Sequence, residues 1–405
     1  MQLSSVLIPN NLRGFASDAR AFDLTITGAK VTAIEPSVVQ QSSGTLIPCT
    51  VDLHTHIDKT FVVHETGAAN GNLFTAIEQM GLHRATWTES ALYERMAKAL
   101  TQAYRSGARA MRTHIDWVSK DTPIALKVFE RIRNEWRGKI TLQCVSLVPL
   151  DLFDNAFDSE DIGLSVGVAD QCCDRSLGEQ VLLGAFVYRN ERIYDKLQRV
   201  FDLALRNGVG IDFHVDEGLD NDARGLHAIA ELTIKNNMQG FVTCGHACSL
   251  AVQAIAQANN TLQLCAKAGI HLVALPTTNL YLQGAWDRTP VERGITRICE
   301  AQMAGVNTSM ATDNVADSFY PYGSYDLIDT FGLGIQVAHL HPADQWLSTI
   351  TTNPANAMRL PWDGKIQVGC PADLIVLPAN CAWDLLSPDS RNIAKRKVIR
   401  NGKLI

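Results

Sequence analysis

The chain has no surplus of positive charge: 36 Lys and Arg face 42 Asp and Glu over 405 residues, a net charge of −6. Its basic residues are scattered rather than clustered, which excludes the electrostatic footprint of a nucleic-acid binder. It also lacks any run of 18 apolar residues, so no membrane-spanning helix is expected, and Met1 to Pro9 carries no basic segment followed by a long apolar one. A soluble, unexported, cytoplasmic protein is the expectation. The ten cysteines have no paired-ligand spacing, and Cys172 and Cys173 are adjacent, too close for an ordinary bridge. They read as small buried hydrophobes of a reducing compartment rather than a disulfide framework.

Several catalytic signatures are missing as well. There is no His-Glu-x-x-His, no phosphate-cradling loop ending in Lys-Ser/Thr, and no G-x-G-x-x-G opening a helix. The H-x-E with P-C-x-x-C pattern of one class of zinc nucleobase deaminases is absent too. Gly163-Leu164-Ser165-Val166-Gly167 matches G-x-S-x-G, but it is itself strand-like and continues into Val168-Ala169-Asp170, whereas a nucleophile elbow needs a strand before it and a helix directly after.

What is present is a long chain, 46% hydrophobic, able to bury a large core. Residues 1–49 alternate short apolar runs with turns, among them Thr27-Gly28-Ala29, and residues 359–405 repeat that texture with a turn at Asn401-Gly402. Both ends read as one flanking β-domain. Between them, residues 50–358 alternate strand-like and helix-like segments. The expected strands are Thr50–Leu53, Ala110–Ile115, Ile140–Val148, Leu164–Ala169, Gly210–Val215, Gly240–Gly245, Ile270–Pro276 and Asn307–Thr312. Helical spacing is expected over 88–106, 122–136, 191–207, 221–236, 249–257, 293–304 and 343–352; the first opens at Thr88-Glu89 and closes at Gly107. Eight strands with intervening helices fit a (β/α)8 barrel, whose chemistry sits at the C-terminal ends of its strands.

Metal-type residues recur at those ends. His54 and His56 are two apart, so on a strand they share a face and can chelate one ion. Such a pair is weak evidence alone; it gains weight from His214 to Glu217, Gly245-His246 and Asp313-Asn314, each closing an apolar run.

These segments, together with Arg112 to Asp116, Asn279 to Gly284, Arg293 to Arg297, Tyr320 to Gly323 and Pro371 to Leu374, resemble the amidohydrolase superfamily in its bacterial cytosine deaminase-like branch, in the family's order from residue 54 to 374. The resemblance implies a metal-dependent aminohydrolase acting on a small amino-substituted nitrogen heterocycle. His54, His56, His214 and Asp313 offer three imidazoles and a carboxylate, a set suited to one Zn²⁺ or Fe²⁺ with a position left for water. Water on such an ion ionises near neutrality, and hydroxide attacks the amino-bearing carbon to release ammonia. By the resemblance, Glu217 shuttles a proton to the ring nitrogen, His246 hydrogen-bonds the nucleophile or the tetrahedral centre, and Asp313 takes the water's proton. Asn314 falls where the family contacts the ring, and Gln283 and Trp286 fall in the loop after strand seven, as lid residues.

Phe319 has the shape to stack on a planar ring, or simply packs. His114 and Asp116 end a strand and either line the pocket or hold structure by hydrogen bonding. Leu147-Val148-Pro149-Leu150-Asp151 has no Gln where cytosine deaminases read the amide edge of their pyrimidine, which loosens the substrate from cytosine to a related ring. Two other readings stay open: cleavage of a ring amide or exocyclic N-alkyl group by the same nucleophile, and a silent binding protein on a barrel scaffold. A homo-oligomeric interface on the outer helices is left open as well.

Overall fold

The computed structural model describes residues 1–39, 41–69, 73–119, 121–153 and 181–405. Four N-terminal strands come first: β1 (Gln2–Leu7), β2 (Ala21–Thr27), β3 (Lys30–Pro36) and β4 (Gly44–Pro48). Eight follow in the middle of the chain: β5 (Thr50–Thr55), β6 (Ala108–Asp116), β7 (Thr141–Pro149), β8 (Val181–Val187), β9 (Ile211–Val215), β10 (Val242–His246), β11 (His271–Ala274) and β12 (Asn307–Met310). Three close the chain: β13 (Leu374–Leu377), β14 (Lys397–Arg400) and β15 (Lys403–Leu404).

Strands β5 to β12 form one parallel sheet in sequential order, each strand pairing with the next. A parallel bridge between Thr55 and Asp313, with the Asp313 N–H donating to the His54 carbonyl at 2.9 Å, brings the last strand back to the first. Asp52 tightens this seam: its carboxylate accepts from the Thr312 N–H at 3.1 Å and the Thr312 hydroxyl at 2.6 Å. The chain is a (β/α)8 barrel. Every residue of β5, β9 and β10 is buried, as expected for strands covered by side chains inside and helices outside.

The other seven strands make a single sheet in the order β15-β14-β13-β4-β1-β2-β3, so β4 and β13 join the two ends of the chain. Arg400 ties this sheet to the barrel, binding Asp373 at 3.0 Å and the Ala108 carbonyl at 2.7 Å.

The surrounding helices follow from capping and apolar spacing. Glu89–Ser106 starts where the Thr88 hydroxyl accepts from the Ala91 N–H and ends at Gly107 in the left-handed region; it buries Leu92, Met96, Ala99, Leu100 and Ala103 on one stripe. Ile124–Glu135, Ile193–Asn207 and Gly225–Lys235 pack in the same way.

Several elements depart from the sequence expectation. The fourth barrel strand is Val181–Val187, while Leu164–Ala169, the Gly163–Gly167 motif and Cys172-Cys173 lie outside the described residues. Residues 249–257 do not form one helix: a 3₁₀ turn, Cys248–Ala251, precedes a helix at Ile255–Lys267. The reason is Ser249, whose hydroxyl donates to the Gly218 carbonyl at 2.6 Å and pins that turn beneath the loop after β9. Residues 293–304 shorten to Ile298–Met303, because Arg297 binds the Leu250 and Gln253 carbonyls ahead of it. Helices at Leu73–Arg84, Pro276–Leu282 and Leu327–Val337 were not expected. Eight of the cysteines are described and all are free, six of them buried. Among the described residues no helix is long and apolar enough to cross a membrane.

Candidate active site

The C-terminal ends of β5, β9, β10 and β12 converge. His54 lies in β5 and His56 just beyond it, and their alternation turns both imidazoles inward. The His54 and His56 Nε2 atoms stand 3.1 and 3.2 Å from His214 Nε2. Asp313 Oδ1 is 3.5 Å from His54 Nε2 and 3.2 Å from His56 Nε2. All four side chains are buried. Asp313, with φ +60, and His246, with φ +69, occupy left-handed backbone that non-glycine residues rarely adopt, as functional residues at strand ends often do.

The donor set fits a divalent cation. Burial, helped by nearby positive groups, holds His54, His56 and His214 well below the ordinary imidazole range, so their lone pairs are available near neutral pH. Both Asp313 oxygens are buried without an aligned hydrogen bond, and burial pushes that carboxyl up. A buried carboxylate beside three neutral nitrogens at van der Waals separation is costly unless a cation sits among them. An ion about 2.1 Å from each nitrogen spaces the nitrogens roughly 3.0–3.4 Å apart, close to the separations found.

His114 is not among the residues that line the cavity, although its ligand atom lies within 4.8 Å of those of His54, His56 and His214. Its ring lies against His54, centroids 4.0 Å apart, and its Nε2 is 3.4 Å from Asp212 Oδ1. Asp212 is held in turn by Arg112 at 2.7 Å, which also donates to Thr243 and Gln143 across the barrel interior. His114 belongs to the packing that fixes His54.

Glu217 stands two residues past β9, buried, with Oε1 3.4 Å from His246 Nδ1. Burial, then the charge of Asp313, pushes its carboxyl well above the usual carboxylate range. Its neighbour Asp216 anchors it: both Asp216 oxygens accept backbone N–H groups, from Gly225 at 3.1 Å and Leu226 at 3.0 Å, at the start of helix Gly225–Lys235. His246 is lowered to about 4, mainly by burial, and is neutral near pH 7. Asn279 Nδ2 lies 3.1 Å from His246 Nδ1; with the amide donating, the imidazole proton sits on Nε2, which has no protein partner.

The cavity over these groups is lined by His56, His214, Glu217 and His246 together with Leu73, Met80, Leu147, Pro149, Phe186 and Phe319. Asn314 also lines it, its amide nitrogen fixed on Asp317 at 2.7 Å. Phe319 forms a wall beneath the Lys59 ammonium, 5.1 Å from the ring centroid. Gln283 is not a wall residue: it sits behind Glu217, its amide 3.4 Å from the Glu217 carbonyl. Trp286 packs on Tyr281 outside the cavity, centroids 5.1 Å apart. Leu147 and Pro149 leave that wall apolar, in keeping with the missing Gln.

A family model described as the amidohydrolase family matches residues 164–405. A pterin deaminase of Rhizobium rhizogenes is 37% identical over 384 residues, 94% of this chain and 85% of that protein. An N-isopropylammelide isopropyl amidohydrolase of a Pseudomonas species is 24% identical over 95% of this chain and 93% of its own. Among solved structures, the 5-methylcytosine deaminase of Klebsiella pneumoniae liganded with 5-fluorocytosine superposes with a TM-score of 0.85 at 25% identity, covering 100% of this chain and 97% of the other.

Proposed function

Because the chain belongs to the amidohydrolase family, we propose that it hydrolyses the amino group of a small nitrogen heterocycle, and that the ring is a 2-amino-4-oxopteridine or a close relative. The observation that carries this reading is a buried Glu217, its carboxyl raised well above the usual range, 3.4 Å from a His246 whose pKa is lowered to about 4, beside two overlapping clusters of possible ligand atoms, His54 with His56, His114 and His214, and His54 with His246 and Asp313. The 37% identity to a pterin deaminase supports the choice of ring.

His54, His56, His214 and Asp313 would hold a divalent cation, Zn²⁺ or Fe²⁺ on the chemistry of the donors. Such an ion supplies the nucleophile by lowering the pKa of a water it binds. The remaining work falls to the chain. Glu217, its carboxyl raised well above the usual range by burial, gives a proton to the ring nitrogen next to the amino-bearing carbon as water's oxygen bonds to that carbon. Glu217 then takes up the proton of the hydroxyl now on that carbon and passes it to the departing amine, which leaves as ammonia and yields a lactam; the proton held by Asp313 returns to Glu217. His246, its Nε2–H without a protein partner, donates to the oxygen as it gains charge. Asp313, with no aligned donor of its own, receives the proton the water loses.

Ammonia release from the metal-loaded protein, with metal content measured on the same sample, tests the reading. Glu217→Gln should keep the metal and lose about 10²–10⁴ in kcat, since an amide cannot carry the proton; unchanged turnover would overturn its role. His214→Ala should lose metal and activity together. The N-isopropylammelide relative favours a second reading, release of an exocyclic alkylamine. Identification of the amine set free decides between the two.

A further inference from the structure

The groups assigned above handle the reacting carbon and leave open how the rest of the ring is held. A 2-amino-4-oxo heterocycle presents, next to the reacting carbon, a lactam edge with one N–H donor and one C=O acceptor. A buried site must match both or lose heavily in affinity. Leu147, Pro149, Phe186 and Phe319 offer nothing to it, and Asn314 has one amide N–H committed to Asp317.

One polar cluster on the cavity wall is uncommitted to the chemistry. Asp116, at the end of β6, accepts from the Lys59 ammonium at 2.9 and 3.0 Å and from the Arg84 guanidinium at 2.5 Å. Three hydrogen bonds leave the carboxylate an acceptor position, out of about four. Lys59 is nearly fully buried and retains a third N–H, and the buried Arg84 Nε has no protein partner. Arg84 arrives on helix Leu73–Arg84, whose residues 73, 77, 80 and 84 all line the cavity. That spacing is one face of a helix, three apolar positions followed by a cation.

We propose that this helix face is the specificity element of the site: Asp116 accepts the lactam N–H, Lys59 and Arg84 donate to the adjacent C=O, and Leu73, Ile77 and Met80 receive the second ring. The assignment rests on the deaminase reading above and names how that site selects its substrate. A donor and an acceptor held side by side by mutual ion pairing present the same face as a carboxamide, and burial keeps them rigid. The apolar stripe alongside is longer than one ring needs.

The experiment is steady-state kinetics on the metal-loaded full chain with three probes. They are 2-amino-4-oxopteridine, 2,4-diaminopteridine, whose edge has donor and acceptor exchanged, and isocytosine, which has the same edge on one ring. The wild type is expected to favour the oxo over the diamino compound by at least about 10³ in kcat/KM, and the two-ring oxo compound over isocytosine. Arg84→Met leaves the Lys59–Asp116 pair in place; it and Asp116→Asn should each shrink the oxo/diamino preference at least about 10-fold. The loss should lie mainly in KM, with metal content unchanged. An unmoved preference in Arg84→Met, with activity retained, overturns the edge assignment while leaving the deaminase standing. A wild type that releases no ammonia from either pteridine overturns both. Should Asp116→Asn fail to fold, Arg84→Met, placed at the end of a surface helix, decides alone.

Discussion

A single missing side chain holds the candidate centre open. A Cβ at Gly245 would lie 2.8 Å from both Cε1 and Nδ1 of His54, and His54 cannot retreat because His114 lies against its other side. Gly245→Ala is therefore expected to leave the barrel folded, as judged by circular dichroism, while weakening metal binding about 10–100-fold, the usual cost of displacing a ligand's support. Metal titration of the apo protein checks this; wild-type affinity would mean the ring finds another rotamer. His54, His56, His214, His246 and Asp313 were legible in the sequence because strand alternation and strand ends leave a local signature. Asp52 and Asn279 were not. Each acts on a partner far away in the chain, Thr312 and His246, and nothing within a few residues of either announces the pairing. Asp216 was hidden differently: it read as part of a ligand-bearing run, yet its carboxylate anchors a helix start. Gln283 and Trp286 were placed by resemblance alone, and sit behind and beside the cavity.

At the level of elements, the alternation of strands and amphipathic helices made most of the barrel readable, and capping at Thr88 and Gly107 made one helix readable almost to the residue. The fourth strand was expected at Leu164–Ala169, outside the described residues, rather than at Val181–Val187, because both are short apolar runs that periodicity cannot rank. Helix Leu73–Arg84 escaped because its apolar residues surround it: Leu73, Ala76 and Met80 are buried while Phe74, Ile77 and Leu82 are exposed, so no clean polar face marks it. Leu73 and Met80 serve the core and the cavity at once, and Ile77 lines the cavity beside them. Ile77 is 40% exposed and contributes little to the core. Ile77→Ala should thus change stability by less than about 1 kcal/mol, yet lower kcat/KM for a two-ring substrate about 10-fold while sparing a single ring. Parallel kinetics on the two ring sizes would show it, and equal losses on both would remove the helix from ring-size selection.

For the whole molecule, the end of the barrel opposite the site contributes to acid sensitivity. His271 opens β11, with its Nδ1 2.7 Å from Asn307 Nδ2, and burial lowers its pKa to about 4. The unfolded chain titrates near 6.5 and binds the proton first, so this group's stability is complete above about pH 6.5 and is lost as pH falls toward 4. Part of the ring is open to solvent, so about 2 kcal/mol is expected rather than the full conversion of the shift. Urea unfolding of the wild type and His271→Asn across pH 4–7 should show a shallower pH slope in the variant. The seam between β5 and β12 bears on stability from the other end of the strands. His54 and Asp313 are both candidate ligands and also the two sides of the backbone bridge that shuts the barrel. An ion held by both is a removable crosslink between the opening and closing strands. By loop-closure entropy, restraining a loop of that span in the unfolded chain is worth about 5 kcal/mol, to the extent that the ion also stays on the unfolded chain. Stripping the ion with a chelator should therefore do more than stop turnover: it leaves the ring of strands shut by a few hydrogen bonds alone, and the unfolding midpoint should fall.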